Sequence, residues 1–125
     1  MYMLQKTILI IEDSADLAES LEDMLTIKEY KTLTATEGKE GLDLAFQKHP
    51  DLILLDLRLP DISGVEVMSE LRKDPWGKKA KVLIITASDV NEKIIANLGV
   101  DADEIIHKAN SGIGDLIKRI EKELN

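Results

Sequence analysis

The stretch DLILLDLRLPDISG, residues 51–64, decides the fold because it joins a strongly apolar run to a polar turn. Residues 52–55 are apolar without alternation, which is typical of a strand buried on both faces of a parallel sheet. Pro60 and Gly64 follow and indicate a turn before the next element. Burying an unpaired charge is costly, so Asp56 must lie at a solvent-accessible strand end or bind something.

Other short runs repeat this pattern. Residues 8–11 and 82–85 are also uninterrupted and apolar, and residues 32–35 and 104–107 are weaker strand candidates. Between these runs, apolar side chains recur with helical spacing, and we expect them to face the core. They are Leu17, Leu21, Met24, Leu25, Leu42, Ala45, Phe46, Val67, Met68, Leu71, Ile94, Ile95, Leu98, Ile113, Leu116, Ile117, Ile120 and Leu124.

Two tetrapeptides predict where helices begin. SGVE places Ser63 three residues before Glu66, and DVNE places Asp89 three residues before Glu92, both in the pattern of a capping box. Gly99 lies where the C-terminus of a helix favours glycine. The chain thus reads as a strand-helix unit repeated five times. Right-handed crossovers then cover both faces of a five-stranded parallel sheet with helices, a doubly wound α/β fold.

The composition describes one soluble domain, and we expect it to span residues 1–125. The longest apolar runs are four residues, too short to cross a bilayer, and no secretory signal is recognisable, so we expect a cytoplasmic protein without membrane contact. The absence of cysteine excludes disulfides and thiolate metal sites. A net charge of −8 argues against binding nucleic acid through its phosphates.

Polar residues end four of the five predicted strands. Glu12 and Asp13 follow the first, Asp56 the third, Thr86 the fourth and Lys108 the fifth. If strands one and three are neighbours, these side chains converge at the edge where doubly wound sheets bind ligands. Two charges about 4 Å apart interact by roughly 4 kcal/mol at an effective dielectric of about 20, so three carboxylates need a cation. Oxygen ligands of this kind suit Mg²⁺.

The cluster also suggests a reaction. A carboxylate such as Asp56 is ionised at neutral pH and needs no general base to act as a nucleophile. A metal ion and Lys108 would neutralise charge on a transferring phosphoryl group, and the hydroxyl of Thr86 could donate to one of its oxygens. We therefore predict a reversible phosphoryl acceptor. The alternative for Asp56 is a plain ion pair with Lys108.

Four segments, ILIIEDS, LILLDLRLPDISG, VLIITAS and IIHK, together resemble the receiver domain of two-component response regulators over essentially the whole chain. The resemblance implies a flavodoxin-like sheet with strand order 2-1-3-4-5. It also implies that Glu12 and Asp13 form the acidic pair that holds Mg²⁺. Asp56 would be both a metal ligand and the phosphoacceptor, and the backbone carbonyl of Arg58 would complete the metal shell.

By the same resemblance, Thr86 would be the switch hydroxyl and Lys108 the phosphate-binding lysine. The phosphoryl group would come from a histidine kinase or a histidine phosphotransfer protein. The signal would leave through contacts with an unknown downstream protein. The oligomeric state stays open, and a homodimer is one alternative because members of the family pair through several surfaces. The chain would assist its own phosphorylation and dephosphorylation at Asp56 without being a turnover enzyme, and no nucleic acid is implied.

Two departures from the family keep other interpretations open. Ile105 stands where the family often has an aromatic residue, and Ala109 stands where most members have proline. A receiver-like binding module whose output does not depend on phosphorylation is therefore the alternative function. A third interpretation is an aspartate-nucleophile phosphatase of the haloacid dehalogenase type. Such an enzyme needs a second Asp two residues after the nucleophile, where this chain has Arg58.

Three aromatic or imidazole side chains lie outside this cluster. We expect Trp76 in the loop before the fourth strand, at the opposite end of the sheet, covering the edge of the core. His49 and His107 are expected to be solvated or locally hydrogen-bonded rather than catalytic.

Overall fold

The computed structural model describes residues 5–87 and 90–125. In this part of the chain strands and α-helices alternate. They are β1 (Thr7–Ile11), α1 (Ala15–Ile27), β2 (Lys31–Ala35), α2 (Gly38–Lys48), β3 (Leu52–Asp56), α3 (Gly64–Lys73), β4 (Val82–Thr86), α4 (Glu92–Leu98), β5 (Ile105–His107) and α5 (Ile113–Leu124). Short 3₁₀ turns cover Gly77–Lys79, Ala102–Glu104 and Lys108–Asn110. None of the described helices is long and apolar enough to cross a membrane.

The strands form one parallel sheet in the order β2-β1-β3-β4-β5, which confirms the predicted topology. In the register, Ile11 pairs with Leu55, Asp56 with Ile85 and Thr86 with His107. The carboxyl ends of β1, β3, β4 and β5 therefore lie side by side. Polar residues that follow each strand in the sequence are brought to one edge of the sheet.

The core has two layers, one on each face of the sheet. Ile8 and Ile10 pack with α1 and α5 on one face, whereas Leu9 and Ile11 pack with α2, α3 and α4 on the other. Every residue of β3 and β4 is buried. Burying each Leu or Ile side chain contributes about 1.5–3 kcal/mol, so the uninterrupted apolar runs are what hold the sheet between its helices.

Helix α2 departs from the predicted packing, because Phe46 is 36% exposed and does not face the core. The buried positions of α2 are Gly38, Gly41, Leu42 and Ala45, which follow helical spacing and include two glycines. A Cβ at Gly41 would lie 2.5 Å from the Ile11 side chain, so glycine lets the helix approach the sheet. The buried face is set by these small residues, and Phe46 falls at its rim.

Helix ends agree with the capping predictions in part. Ser63 accepts from the backbone N–H of Glu66 at 3.2 Å, as predicted, and Gly99 ends α4 in the left-handed conformation with φ of 68°. The cap of α4 is Asn91, whose side chain accepts from the N–H of Ile94 at 2.9 Å. Asp89, the predicted cap, lies outside the described residues.

Two further predictions concern the last strand and the loop before β4. Strand β5 begins at Ile105, and Glu104 belongs to the 3₁₀ turn before it. Trp76 lies in the loop before β4, as predicted, and is half-buried against the core. Its ring stacks on that of His49, with centroids 4.3 Å apart and planes 6° apart. The His49 side chain is exposed, as expected for a solvated imidazole, and this aromatic contact holds it in place.

Candidate functional site

The carboxyl edge of the sheet gathers polar side chains from four neighbouring strands. Glu12 directly follows β1, Asp56 ends β3, Thr86 ends β4, and Lys108 directly follows β5. Glu12, Asp56 and Thr86 are the buried polar or charged residues within the described part of the chain, with 0%, 5% and 0% exposure. Buried polar groups concentrated at one end of an apolar sheet mark a site rather than a packing accident.

Lys108 links two of the carboxylates. Its Nζ donates to Oε1 of Glu12 at 2.7 Å and to Oδ2 of Asp56 at 3.4 Å. When only side-chain atoms are counted, Lys108 is 23% exposed, Glu12 0% and Asp56 8%. Burial by itself lowers the pKa of the Lys108 ammonium, but the hydrogen bond and charge of Glu12, followed by those of Asp56, raise that pKa overall. Lys108 is therefore held as a cation between the two acids.

Glu12 is the most constrained acid of the site. Its Oε2 is buried and has no hydrogen-bond partner among the described residues. Burial, together with the neighbouring Asp56 carboxyl group, raises the pKa of Glu12 from 4.5 to about 7, although Lys108 opposes the rise. A buried carboxylate oxygen without a donor is costly unless a cation or proton satisfies it. The side chain of Glu12 therefore fits the role of a metal ligand.

Asp13 does not join this group. It is exposed, and the oxygens of Glu12, Asp13 and Asp56 do not all lie within 4.8 Å of one another. The physical reason is the alternation of an extended chain, in which successive side chains point in opposite directions, so Asp13 faces away where Glu12 faces inward. Of the three carboxylates that the sequence predicts to converge, the structure thus brings together Glu12 and Asp56.

The β3–α3 loop holds the carboxyl group of Asp56 from its other side. The backbone N–H of Arg58 donates to Oδ1 of Asp56 at 3.2 Å, while the Arg58 side chain is exposed. The N–H of Gly64 donates to the carbonyl of Leu57 at 3.0 Å and closes the loop. A Cβ at Gly64 would lie 2.7 Å from Cα of Leu57 and 2.9 Å from the carbonyl oxygen of Asp56, so this close approach requires glycine.

The departures from the family pattern also have defined places. Ile105 is buried, with 8% exposure, in the same core layer as α4. The peptide bond between Lys108 and Ala109 is trans, and both residues lie in a 3₁₀ turn. Lys108 reaches the two acids from this turn. The loss of proline at 109 is thus compatible with Lys108 at the centre of the site.

Sequence reasoning missed one polar contact next to the site. Asp61, in the same loop, accepts from the N–H of Gly38 at 2.7 Å and from the N–H of Lys39 at 2.9 Å. The bond from Lys39, with that from Gly38, lowers the pKa of Asp61 from 3.8 to about 2. The local pattern PDISG marks Asp61 only as a turn residue, because its partners lie more than twenty residues earlier in the chain.

Comparison with known proteins identifies the class. Residues 8–121 match the family model described as response regulator receiver domain, and the chain belongs to this family. Its members are phosphoacceptors of two-component signalling and act as signalling domains. The chain is 41% identical over 114 residues to the response regulator ArlR of Staphylococcus aureus strain NCTC 8325, which covers 90% of this chain. That match covers 50% of ArlR, so the chain spans about half the length of the curated relatives it matches.

Solved structures agree with the family and the fold. A CheY-like receiver domain from Methanospirillum hungatei is 28% identical, with a TM-score of 0.84 over 97% of this chain and 94% of that one. TrrA from Thermotoga maritima, a response regulator crystallised in complex with Mg²⁺ and BeF, is 31% identical. Its TM-score is 0.81 over 96% of this chain and 100% of TrrA.

Proposed function

We propose that Asp56 is the residue of this receiver domain that accepts the phosphoryl group. The observation that supports it is the setting of the Asp56 carboxyl group, which is buried at the end of β3 between Lys108 and the N–H of Arg58. In the reaction, a carboxylate oxygen bonds to phosphorus and the phosphorus–nitrogen bond of a phosphohistidine breaks. The imidazole leaves with the bonding electron pair and is protonated by water, and an aspartyl phosphate remains.

Lys108 would stabilise the transferred group. It already lies between Glu12 and Asp56, and its raised pKa keeps the ammonium charged across the physiological range. An ammonium at this place offsets negative charge on a phosphoryl oxygen as that charge builds up. Thr86 ends the neighbouring strand β4, fully buried, and its hydroxyl would form a hydrogen bond to another phosphoryl oxygen.

The donor set fits Mg²⁺. Hard oxygen ligands are available from Glu12, Asp56 and the Arg58 carbonyl, and the buried Oε2 of Glu12 lacks a donor among the described residues. Asp13 is exposed next to Glu12 and would complete the acidic pair by turning its side chain inward. When bound, Mg²⁺ would offset the charge of these carboxylates and of the phosphoryl oxygens.

The phosphodonor would be a histidine kinase or a histidine phosphotransfer protein. Next to Glu12, a groove of about 360 Å³ runs between α1 and β2, and each ionisable residue that lines it is acidic. Besides Glu12 these residues are Glu19, Glu22 and Asp23. Complementary charge guides such encounters, so we infer that the donor presents basic side chains towards this surface. The downstream partner would be a protein as well.

The alternative function is a receiver-like binding module whose output does not depend on phosphorylation. The observation that favours it is the burial of Ile105 in the core. In this family an aromatic side chain at this position commonly moves inward on phosphorylation, and an aliphatic residue that is already packed there cannot make that move. The two functions differ in what the chemistry at Asp56 controls. They share the fold and the acidic site.

Labelling with a small phosphodonor tests the proposal. Incubation with acetyl phosphate and Mg²⁺ should give a phosphate-sized mass increase, which chelation of the metal and Asp56→Asn should both abolish. Asp51→Asn is the matched control, because Asp51 also accepts a backbone hydrogen bond, from Thr7, but at the amino end of β3. Absence of labelling with every donor would favour the binding module. Multiple turnover of a phosphomonoester would instead indicate a phosphatase.

A further inference from the structure

The loop that follows the phosphoacceptor is tied to a helix that is distant in sequence. Both carboxylate oxygens of Asp61 are used, Oδ1 by the N–H of Gly38 at 2.7 Å and Oδ2 by the N–H of Lys39 at 2.9 Å. These N–H groups belong to the first two residues of α2. The β3–α3 loop thus caps the N-terminus of α2.

Helix α2 needs this cap. Glu37, at the usual capping position, makes no side-chain hydrogen bond to the helix. The first N–H groups of a helix have no partners within it and favour a negative charge nearby. Asp61 supplies both the acceptors and the charge from another part of the chain.

Glycine at position 38 makes the link possible. A Cβ on Gly38 would lie 2.6 Å from Cγ1 of Ile62 and 2.9 Å from Cγ2 of Val67. Real Cβ contacts are not this short, so a side chain at position 38 would require the side chains of Ile62, in the loop, and Val67, in α3, to move. The contact is therefore built from both sides, with a carboxylate in the loop and a glycine in the helix.

The same loop positions groups of the candidate site. Arg58 lies three residues before Asp61, and its N–H donates to Oδ1 of Asp56. Ser63 caps the helix that follows it. Among the described hydrogen bonds of residues 57–63, those made by the Asp61 side chain link the loop to an element distant in sequence.

We propose that Asp61 is a positioning residue, which anchors the β3–α3 loop on α2 and thereby holds the backbone of Arg58 in place for phosphoryl transfer to Asp56. The inference rests on the proposed function of Asp56. Asp61 touches neither phosphate nor metal. Its loss acts through the loop, on the N–H that orients Asp56 and on the Arg58 carbonyl that would bind Mg²⁺.

The test compares Asp61→Ala with Asp74→Ala. Asp74 is a matched control because it also accepts a backbone hydrogen bond, from Gly77 at 2.9 Å, but in the loop before β4 at the other end of the sheet. Both variants should lose some stability. Asp61→Ala alone should weaken Mg²⁺ binding and slow labelling by acetyl phosphate, each by about tenfold, as is typical when an outer-shell partner of a metal site is removed.

A measurement without metal or phosphate separates positioning from general destabilisation. In chelator, hydrogen exchange followed by NMR should show faster exchange of the Arg58 amide in Asp61→Ala and no change at Arg58 in Asp74→Ala. Asp61→Asn should be intermediate, since a single amide oxygen replaces two carboxylate oxygens. Gly38→Ala should act in the same direction as Asp61→Ala while leaving the carboxylate intact.

Each outcome bears on one claim. If Asp61→Ala and Asp74→Ala label at equal rates and exchange equally at Arg58, Asp61 only stabilises the fold and the inference is wrong. If the unsubstituted protein is not labelled, the proposed role of Asp56 fails, but exchange at Arg58 still decides whether Asp61 anchors the loop. Should Asp61→Ala fail to fold, Asp61→Asn and Gly38→Ala give the same comparison.

Discussion

The two ends of the sheet treat polar groups in opposite ways. At the amino end they are satisfied within the fold, as shown by Arg72, whose Nη1 donates to the carbonyls of Gly77 at 2.7 Å and Ala80 at 2.8 Å. At the carboxyl end, Glu12 is fully buried and its Oε2 lacks a hydrogen-bond partner among the described residues. The first arrangement stabilises the fold, whereas the second buries an acid at the expense of stability.

The largest expected effect is the pH dependence that Glu12 causes. Its pKa is raised from 4.5 to about 7 by burial and by Asp56, so the folded state binds this proton more tightly than the unfolded state. The contribution of protonated Glu12 to the free energy of unfolding is then fully present below pH 4.5 and falls as the pH rises towards about 7. A shift of this size corresponds to a loss of about 3 kcal/mol, measured by urea unfolding in metal-free buffer.

Glu12→Gln should remove this slope, and Glu19→Gln is the control because Glu19 is exposed on α1 and loses the same charge without burial. Asp61, the other acid with a shifted pKa among the described residues, does not interfere. The pKa of Asp61 is lowered to about 2, so its contribution is lost only as the pH falls below 3.8. A free energy of unfolding that rises between pH 4.5 and 7, or a slope that survives Glu12→Gln, would contradict the account of the carboxyl end.

At the amino end, the next largest effect is expected for Arg72→Ala. The change leaves the carbonyls of Gly77 and Ala80 without their shared charged donor. Because these bonds are partly buried, the free energy of unfolding should fall by about 2 kcal/mol. Thermal or urea unfolding measures the loss. Labelling of the folded fraction by acetyl phosphate should not change.

Lys73→Ala is the control for Arg72. Lys73 is the next residue of α3, but it is exposed and its ion pair is with Glu70 at 2.9 Å on the helix surface, so its removal should cost about 0.5 kcal/mol or less. Equal losses for the two variants would mean that the clamp at the amino end contributes no more than a surface ion pair. Slower labelling of folded Arg72→Ala would show that the two ends are not independent.

The difference between the ends also explains how far the sequence could be interpreted. Uninterrupted apolar runs such as residues 52–55 predict buried parallel strands, and polar residues that end those strands meet at one edge once the topology is known. Glu12, Asp56 and Lys108 could therefore be predicted to lie together. Their meeting follows from backbone register alone.

Other features depend on distances in space that no local pattern contains. Asp61 contacts α2 only because the loop folds back on the helix, and Phe46 is exposed because Gly38 and Gly41 set the buried face of α2. Asp13 follows Glu12 directly in the sequence, yet it is exposed where Glu12 is buried. Successive side chains of an extended segment point to opposite faces, so a run of acids does not tell which of them enter the site.

The smallest expected effect is a gain in stability at the amino end of the sheet, from removing backbone strain at Glu29. Glu29, in the turn before β2, has φ of 70°, a left-handed conformation that costs a side-chain residue about 1 kcal/mol. Its carbonyl accepts from Nε2 of Gln5 at 3.0 Å and its N–H donates to Thr26, and both are backbone contacts that glycine retains. Glu29→Gly should therefore raise the free energy of unfolding by about 0.5 kcal/mol, after the greater chain entropy of glycine is subtracted.

Urea unfolding of Glu29→Gly should show this gain while the rate of labelling at Asp56 stays the same. Glu29→Ala is its control, because alanine removes the same charge but keeps the strain of a positive φ. Stabilisation by both substitutions alike would assign the gain to charge rather than to backbone conformation. A gain confined to glycine means that backbone strain at the amino end can be removed without affecting phosphorylation. Replacing the buried carboxyl group of Glu12 at the carboxyl end would instead remove a group that the proposed chemistry requires.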